Sequence, residues 1–471
     1  MVVGASPQPP HLRFSSPGKA LFHPLARMRL ADALRVGPGT VAAFAGAGGK
    51  STAIARLVTE LSPELPVVVT TTTHLALPQT SLARSHLIAR NPADLEGLPD
   101  LLARDRSVLV TGDALQDEPK WTGLDPRSLE ALRCMAEAAG AVVLVEADGA
   151  RGRSLKAPGE HEPAIPSFAG LTVPVVGLDV LGVSLDSGLV HRPERVAGLL
   201  NLASGDRIEP GHLARLITDE QGGLKGAPPG SEVRVLLNKF EAGREAEARL
   251  VAEAALTCPR VRAVVLANVA QAGPVEEVFG RVAGVVLAAG ASARLHQPKQ
   301  LLPWRGHPLV WHAARAAIDG GLSPVAVVVG AEADAVRSAL AGEPVEIVRN
   351  DAWPEGQSTS VRAGLEAVRQ DVEAIVFLLV DTPYVDSSLI LALVRAHRRT
   401  LSPIVAPRVG DRWANPVLFD RAAFPALQTI SGDRGGRALF DRFRISGVEW
   451  DASILLDVDT PDDLRTLGLS H

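Results

Sequence analysis

Short apolar, β-branched runs alternate with helix-length, polar-faced segments along this chain, and the whole alternation occurs twice. Residues 41–45, 67–72, 108–111, 141–146, 173–178, 233–238 and 261–267 form the first series. Each is a near-continuous hydrophobic run, as expected of strands covered on both faces in a parallel sheet. The series ends near the turn signal Gln271–Gly273–Pro274. A second series follows at 282–288, 325–330, 345–348, 374–380, 403–406 and 454–458. Helical patterns at 307–320, 331–341, 358–370 and 386–399 fill its gaps. The expected fold class is α/β, with two doubly wound parallel-sheet domains at 28–275 and 280–471. The Pro- and Ser-rich residues 1–27 read as a disordered tail without an export signal, and Met28 reads as an alternative start.

Composition narrows the functional classes. With 471 residues and a formal charge of −5, the chain lacks the basic footprint of a nucleic-acid binder. No apolar run reaches the ~18 residues that span a bilayer. Cys134 and Cys258 form no thiol pair motif, which suits a reducing, cytoplasmic setting. Only seven of the 48 basic residues are lysines. Lys50, Lys239 and Lys299 all fall in loops where a compact point charge suits a phosphate.

The run 41–45 enters Gly46-Ala47-Gly48-Gly49-Lys50-Ser51-Thr52 and then a helical pattern. Glycines let backbone N–H groups wrap an anion, and the helix start adds positive potential. Lys50 is expected on the outer phosphates and Ser51 on Mg²⁺. Phe44 stands where the full P-loop pattern has its first glycine, so the match is incomplete. The run 141–145 ends in Glu146-Ala147-Asp148-Gly149, and Asp148 is the expected metal acid. The run 233–237 ends in Asn238-Lys239-Phe240-Glu241. This resembles the base-reading loop of GTPases with Glu in place of Asp, so either ATP or GTP is expected here.

The second series opens on a comparable loop, Leu287-Ala288-Ala289-Gly290-Ala291-Ser292, followed by Arg294, Lys299 and Leu301-Leu302-Pro303-Trp304. Small residues at a strand's C-terminal end let the backbone approach a base and a triphosphate. Arg294 and Lys299 supply charge against the phosphates. Asp381, ending the run 374–380, and Asp459, near the C-terminus, are candidate metal ligands. Gln357, Ser358, Ser360, Asn415 and Asp433 lie in three loops expected to face an acceptor.

These motifs carry two resemblances. Residues 28–270, through Thr70–His74, the Glu146–Pro158 stretch and His161-Glu162-Pro163, resemble the YqeC-type accessory proteins of selenium-dependent molybdenum hydroxylases. In this stretch Arg151, Arg153, Lys156 and His161 are candidates for a second anionic ligand. Residues 282–470 resemble the MobA/MocA nucleotidyltransferases, in particular the cytidylyltransferase branch. Departures are Val380, where a glycine is usual, and His296. The resemblance implies a nucleotide-diphospho-sugar-transferase-like fold and a Mg²⁺-dependent reaction. CTP and a molybdopterin-type cofactor would give the cytosine dinucleotide cofactor and pyrophosphate. A molybdenum hydroxylase apoprotein is an implied partner; nucleic acid and membrane are not. Two other readings stay open: a sugar or polyol phosphate as acceptor, and a non-catalytic chaperone that inserts cofactor.

Overall fold

The computed structural model describes residues 28–292, 295, 297–433 and 435–467. The expected tail, Arg294 and His296 lie outside the described residues.

A nine-stranded sheet holds the first series. Across it, strands begin at Val275, Val261, Glu232, Leu171, Val41, Val142, Val67, Ser107 and Ser85. All neighbours run parallel except Val275–Gly280, which pairs antiparallel with Val261–Ala267. Central strands such as Val67–Thr71 and Val142–Glu146 are buried along their whole length. The helix Lys50–Leu61 buries Ala53, Ile54, Leu57, Val58 and Leu61, a three-and-four spacing that lays one face on the sheet. The helix Pro126–Ala138 starts where the Asp125 carboxylate accepts the N–H groups of Arg127 and Ser128.

The second sheet runs in the order Glu346, Val325, Val282, Ala374, Val417, Ile404, Arg412, with Ile445–Glu449 also pairing to Ile404–Val409. It is parallel-dominated, as expected of a doubly wound unit, with an antiparallel strand inserted. Val417–Asp420 runs antiparallel to both neighbours. No strand forms at 454–458. Asp451 accepts the N–H of Ser453 and starts the turn Ala452–Leu455, while the last parallel strand is Ile445–Glu449.

Gly280 ends the first sheet and Val282 begins the second, so Arg281 alone joins them. A buried ionic cluster seals the joint. Glu373, 2 % exposed, accepts from Arg234 at 2.8 Å, Arg35 at 3.0 Å, Arg262 at 3.0 Å and Arg421 at 2.9 Å. Arg35 also reaches Asp420 Oδ2 at 2.7 Å, and His397 contacts the same oxygen at 2.7 Å. Burial alone would raise the Glu373 carboxyl, but the surrounding guanidinium groups hold it well below the ordinary range.

Candidate active sites

Both sheets offer a crevice at the C-terminal ends of their central strands, where the strand order reverses and open α/β sheets take ligands. In the first, Val41–Gly46 lies between Leu171–Gly177 and Val142–Glu146. In the second, Val282–Ala288 lies between Val325–Val329 and Ala374–Leu379.

At the first site the glycine loop passes tightly under its neighbours. Gly48 has φ +90°, and a Cβ there would sit 2.3 Å from the Gly177 nitrogen. Its N–H donates to the Arg153 carbonyl and that of Ala47 to the Val175 carbonyl. Gly49 caps the following helix and offers no side chain to its first-turn N–H groups. Those donors are available to an anion. Gly48, Gly49, Lys50, Ser51 and Thr52 line a cavity of about 670 Å³.

Lys50 is 4 % exposed and donates to the Gly46 carbonyl at 2.6 Å. It also pairs with Asp148 at 3.1 Å. Asp148 accepts the Gly46 N–H and meets Lys156 at 2.8 Å. Lys156 in turn meets Glu162 at 2.8 Å, and Arg192 closes the chain on Glu162 at 2.6 Å. Burial would lift the Glu162 carboxyl, yet hydrogen bonds from Arg192 and Lys156 hold it far below the usual range.

Asp148, the expected metal acid, is 1 % exposed with its oxygens engaged by two lysines and a backbone amide. Glu146 is the acid that meets Ser51. Its carboxylate accepts the Ser51 hydroxyl at 2.9 Å, and Gln79 donates to the same hydroxyl oxygen at 2.7 Å. Burial raises the Glu146 carboxyl above its ordinary value, against the pull of Lys50 and Ser51. The Asn238 amide donates to the Gly48 carbonyl at 2.7 Å and accepts the Val269 N–H at 3.0 Å, so it braces the loop. Lys239 does line the cavity, tied to Ser154 and Asp179. His161 is exposed and outside the cavity wall. The sequence flagged Glu146 as part of its motif, whereas nothing local flagged Gln79 or Arg192.

At the second site Lys299 pairs with Asp381 at 2.5 Å and Asp459 at 2.9 Å. The Val458 N–H donates to the Asp381 carbonyl at 2.9 Å, which brings the C-terminal segment beside Asp381. Burial would lower the Lys299 ammonium, but the Asp381 charge and hydrogen bonds to both carboxylates raise it. Leu287, Ala288, Ala289, Gly290, Lys299, Asp381, Gln357, Ser360 and Asp433 share the wall of a cavity of about 280 Å³. Ser292 acts from outside that wall: its hydroxyl oxygen accepts the Lys299 N–H at 2.9 Å. Ser358 is buried, with its N–H on the Gly432 carbonyl. Asn415 lies outside that wall, two residues before the antiparallel strand Val417–Asp420. Gln300 and Trp353 line the cavity with no sequence signal beyond their neighbours. Thr460 caps the helix Pro461–Thr466, so the segment both starts a helix and delivers Asp459.

Two open α/β sheets, the second with a lysine and two carboxylates converging on a small-residue loop, define a nucleotidyltransferase with an accompanying glycine-loop unit. Comparison with known families agrees: the MobA-like NTP transferase domain matches residues 284–447, and the YqeC protein family matches 42–194. The chain belongs to these two families, joined in one polypeptide. Nicotine blue oxidoreductase of Paenarthrobacter nicotinovorans is 39% identical over 164 residues, covering 33% of this chain and 79% of that protein. The uncharacterized protein YqeC of Escherichia coli K12 is 32% identical over 205 residues, 43% of this chain and 76% of that one. Rv0371c from Mycobacterium tuberculosis H37Rv, a solved structure, is 32% identical, covers 40% of this chain and 98% of that chain, with a TM-score of 0.37.

Among the described residues, no helix is long and apolar enough to cross a membrane, and no group of three or more His, Cys, Asp or Glu gathers as a metal cluster.

Proposed function

We propose that the second site transfers a cytidylyl group from CTP to the phosphate of a molybdopterin-type cofactor, releasing pyrophosphate. The first site binds ATP or GTP in support of molybdenum hydroxylase maturation, and the two units meet at Arg281. The observation that carries the transferase reading is Lys299 held between Asp381 and Asp459 on the wall of the 280 Å³ cavity.

A divalent cation fits this donor set. The Asp381 Oδ1 atom is buried with no hydrogen-bond partner, and Asp459 presents a second carboxylate nearby. Such a cation, held by Asp381 and Asp459, supplies charge neutralisation at the α-phosphate. The chain's own residues do the rest. Backbone at 287–290 admits the base, and Lys299 offsets triphosphate charge. The start of the helix Gln357–Val368, with Gln357 and Ser360, holds the acceptor phosphate. An acceptor oxygen attacks the α-phosphorus as the bond to pyrophosphate breaks, so catalysis is mainly positioning and electrostatics. At the first site, Ser51 and Glu146 fit a cation beside a nucleotide held by the glycine loop.

The test is pyrophosphate release by the full chain with CTP, GTP or ATP, offered molybdopterin or a panel of sugar phosphates. Turnover with CTP and molybdopterin alone supports the reading. Turnover only with a sugar phosphate moves the acceptor to that class. No turnover, with copurification of a molybdenum hydroxylase, favours the insertion chaperone.

A further inference from the structure

The cavity above the first glycine loop, about 670 Å³, is more than twice the 280 Å³ of the second site, and its wall combines two chemistries. One stretch is the glycine loop with Ser51 and Glu146. The other is the loop bearing Arg151 and Arg153, which packs on the glycine loop through the Arg153 carbonyl, together with His191 and Arg192. Most cations in the wall already have a carboxylate: Lys50 has Asp148, Lys239 has Asp179, Lys120 has Glu118 and Arg192 has Glu162. Arg151 forms no direct ion pair among the described residues, although its charge reaches Glu118. Arg153 bonds the Gly188 carbonyl, a neutral group. Both guanidinium groups are therefore exposed on this stretch of wall without a direct ion pair. Thr73, in the same wall, has a hydroxyl oxygen buried without a partner, a group that ordinarily finds one. The local field is positive as well: burial, and then Arg192, Lys156 and Arg151, push the His191 imidazole below its ordinary value.

We infer that the Arg151–Arg153 stretch of this wall is a subsite for a second small molecule carrying a phosphate monoester, bound beside the nucleotide. This rests on the reading that the glycine loop takes a nucleotide. A monoester dianion matches two guanidinium charges, whereas one carboxylate leaves a charge over. Each guanidinium also presents paired N–H groups that suit phosphate oxygens.

The experiment uses the full chain carrying Lys299→Ala, which weakens phosphate binding at the second site. Inorganic phosphate is titrated calorimetrically, first alone and then with a saturating non-hydrolysable ATP or GTP analogue and Mg²⁺. The expected result is phosphate binding that survives nucleotide saturation. Adding Arg151→Ala with Arg153→Ala weakens it by more than about tenfold, the scale of charge-assisted hydrogen bonds, while leaving nucleotide affinity nearly unchanged. Displacement of phosphate by nucleotide, indifference to the double substitution, or no phosphate binding overturns the inference. A separate Lys50→Ala arm reads the nucleotide site. If no nucleotide binding is lost there, the glycine-loop reading fails on its own, while the phosphate titration without nucleotide still decides the subsite.

Discussion

Lys299 serves two carboxylates at once, and a bound triphosphate would compete with them for the same ammonium. Replacing it with alanine is expected to cut kcat/KM for nucleotidyl transfer by about 10²–10³, the cost of removing one preorganised charge at a developing anion. The circular dichroism spectrum should stay native; an unchanged rate would remove Lys299 from the site. Its raised pKa sets the pH behaviour. The ion pairs persist below the ordinary lysine value of 10.5 and are lost only as pH rises through the raised folded value. The pH–rate profile should therefore show no alkaline limb from Lys299 below that point. At the first site, Glu146 and Asp148 are expected to separate function from stability. Glu146→Gln should weaken Mg²⁺-dependent nucleotide binding with little change in thermal midpoint. Asp148→Ala strands Lys50 and Lys156 without their shared counter-charge and should cost about 3–5 kcal/mol in urea melts. The sequence could not rank these two acids. Both end the same apolar run, and only the folded contacts show which one faces Ser51.

Among the elements, the glycine loop is where chemistry depends most on backbone. Gly48→Ala would place a methyl group 2.3 Å from the Gly177 nitrogen at a φ of +90°. Local strain of about 1–3 kcal/mol is expected, with loss of nucleotide binding at the first site. Nucleotidyl transfer at the second sheet should continue, which an assay of both sites in one variant would show. Strands with uninterrupted apolar runs, such as Val282–Ala288 and Ala374–Leu379, were legible because burial on both faces leaves no polar interruption. The missed strands were those whose sequence shows no long run of this kind. Val275–Gly280 carries Glu276 and Glu277 within an edge strand. Val417–Asp420 is only four residues long and follows a loop that reads as a binding segment. At 454–458 an apolar run reads as a strand, yet Asp451 and Thr460 cap short helices on either side of it. The site followed the same rule: residues within a motif were readable, while Gln79, Arg192 and Trp353 arrive by tertiary contact alone.

For the whole molecule, the joint between the sheets concentrates charge that sequence could not place, because Arg35, Arg234, Arg262 and Arg421 meet Glu373 only in the fold. Glu373→Ala leaves several guanidinium groups without their common anion and is expected to destabilise the chain by about 3–5 kcal/mol. Urea unfolding should then separate into two transitions, one per sheet; a single unshifted transition would argue against coupling through this cluster. Acid should act at the same place. Glu373 and Asp420 both titrate below their ordinary values of 4.5 and 3.8. The stability they contribute is complete above those values and drains away as pH falls through the depressed folded ones. A urea midpoint that declines over that acid window, and declines less in Glu373→Ala, is the expected signature.

The passage through Arg281 allows no slack. The Arg281 guanidinium donates to the carbonyls of Leu256 and Val261 on one side and Asp371 on the other, so the junction itself is strapped to both sheets. The junction is thus built as a fixed strut and not as a swinging arm between the two crevices.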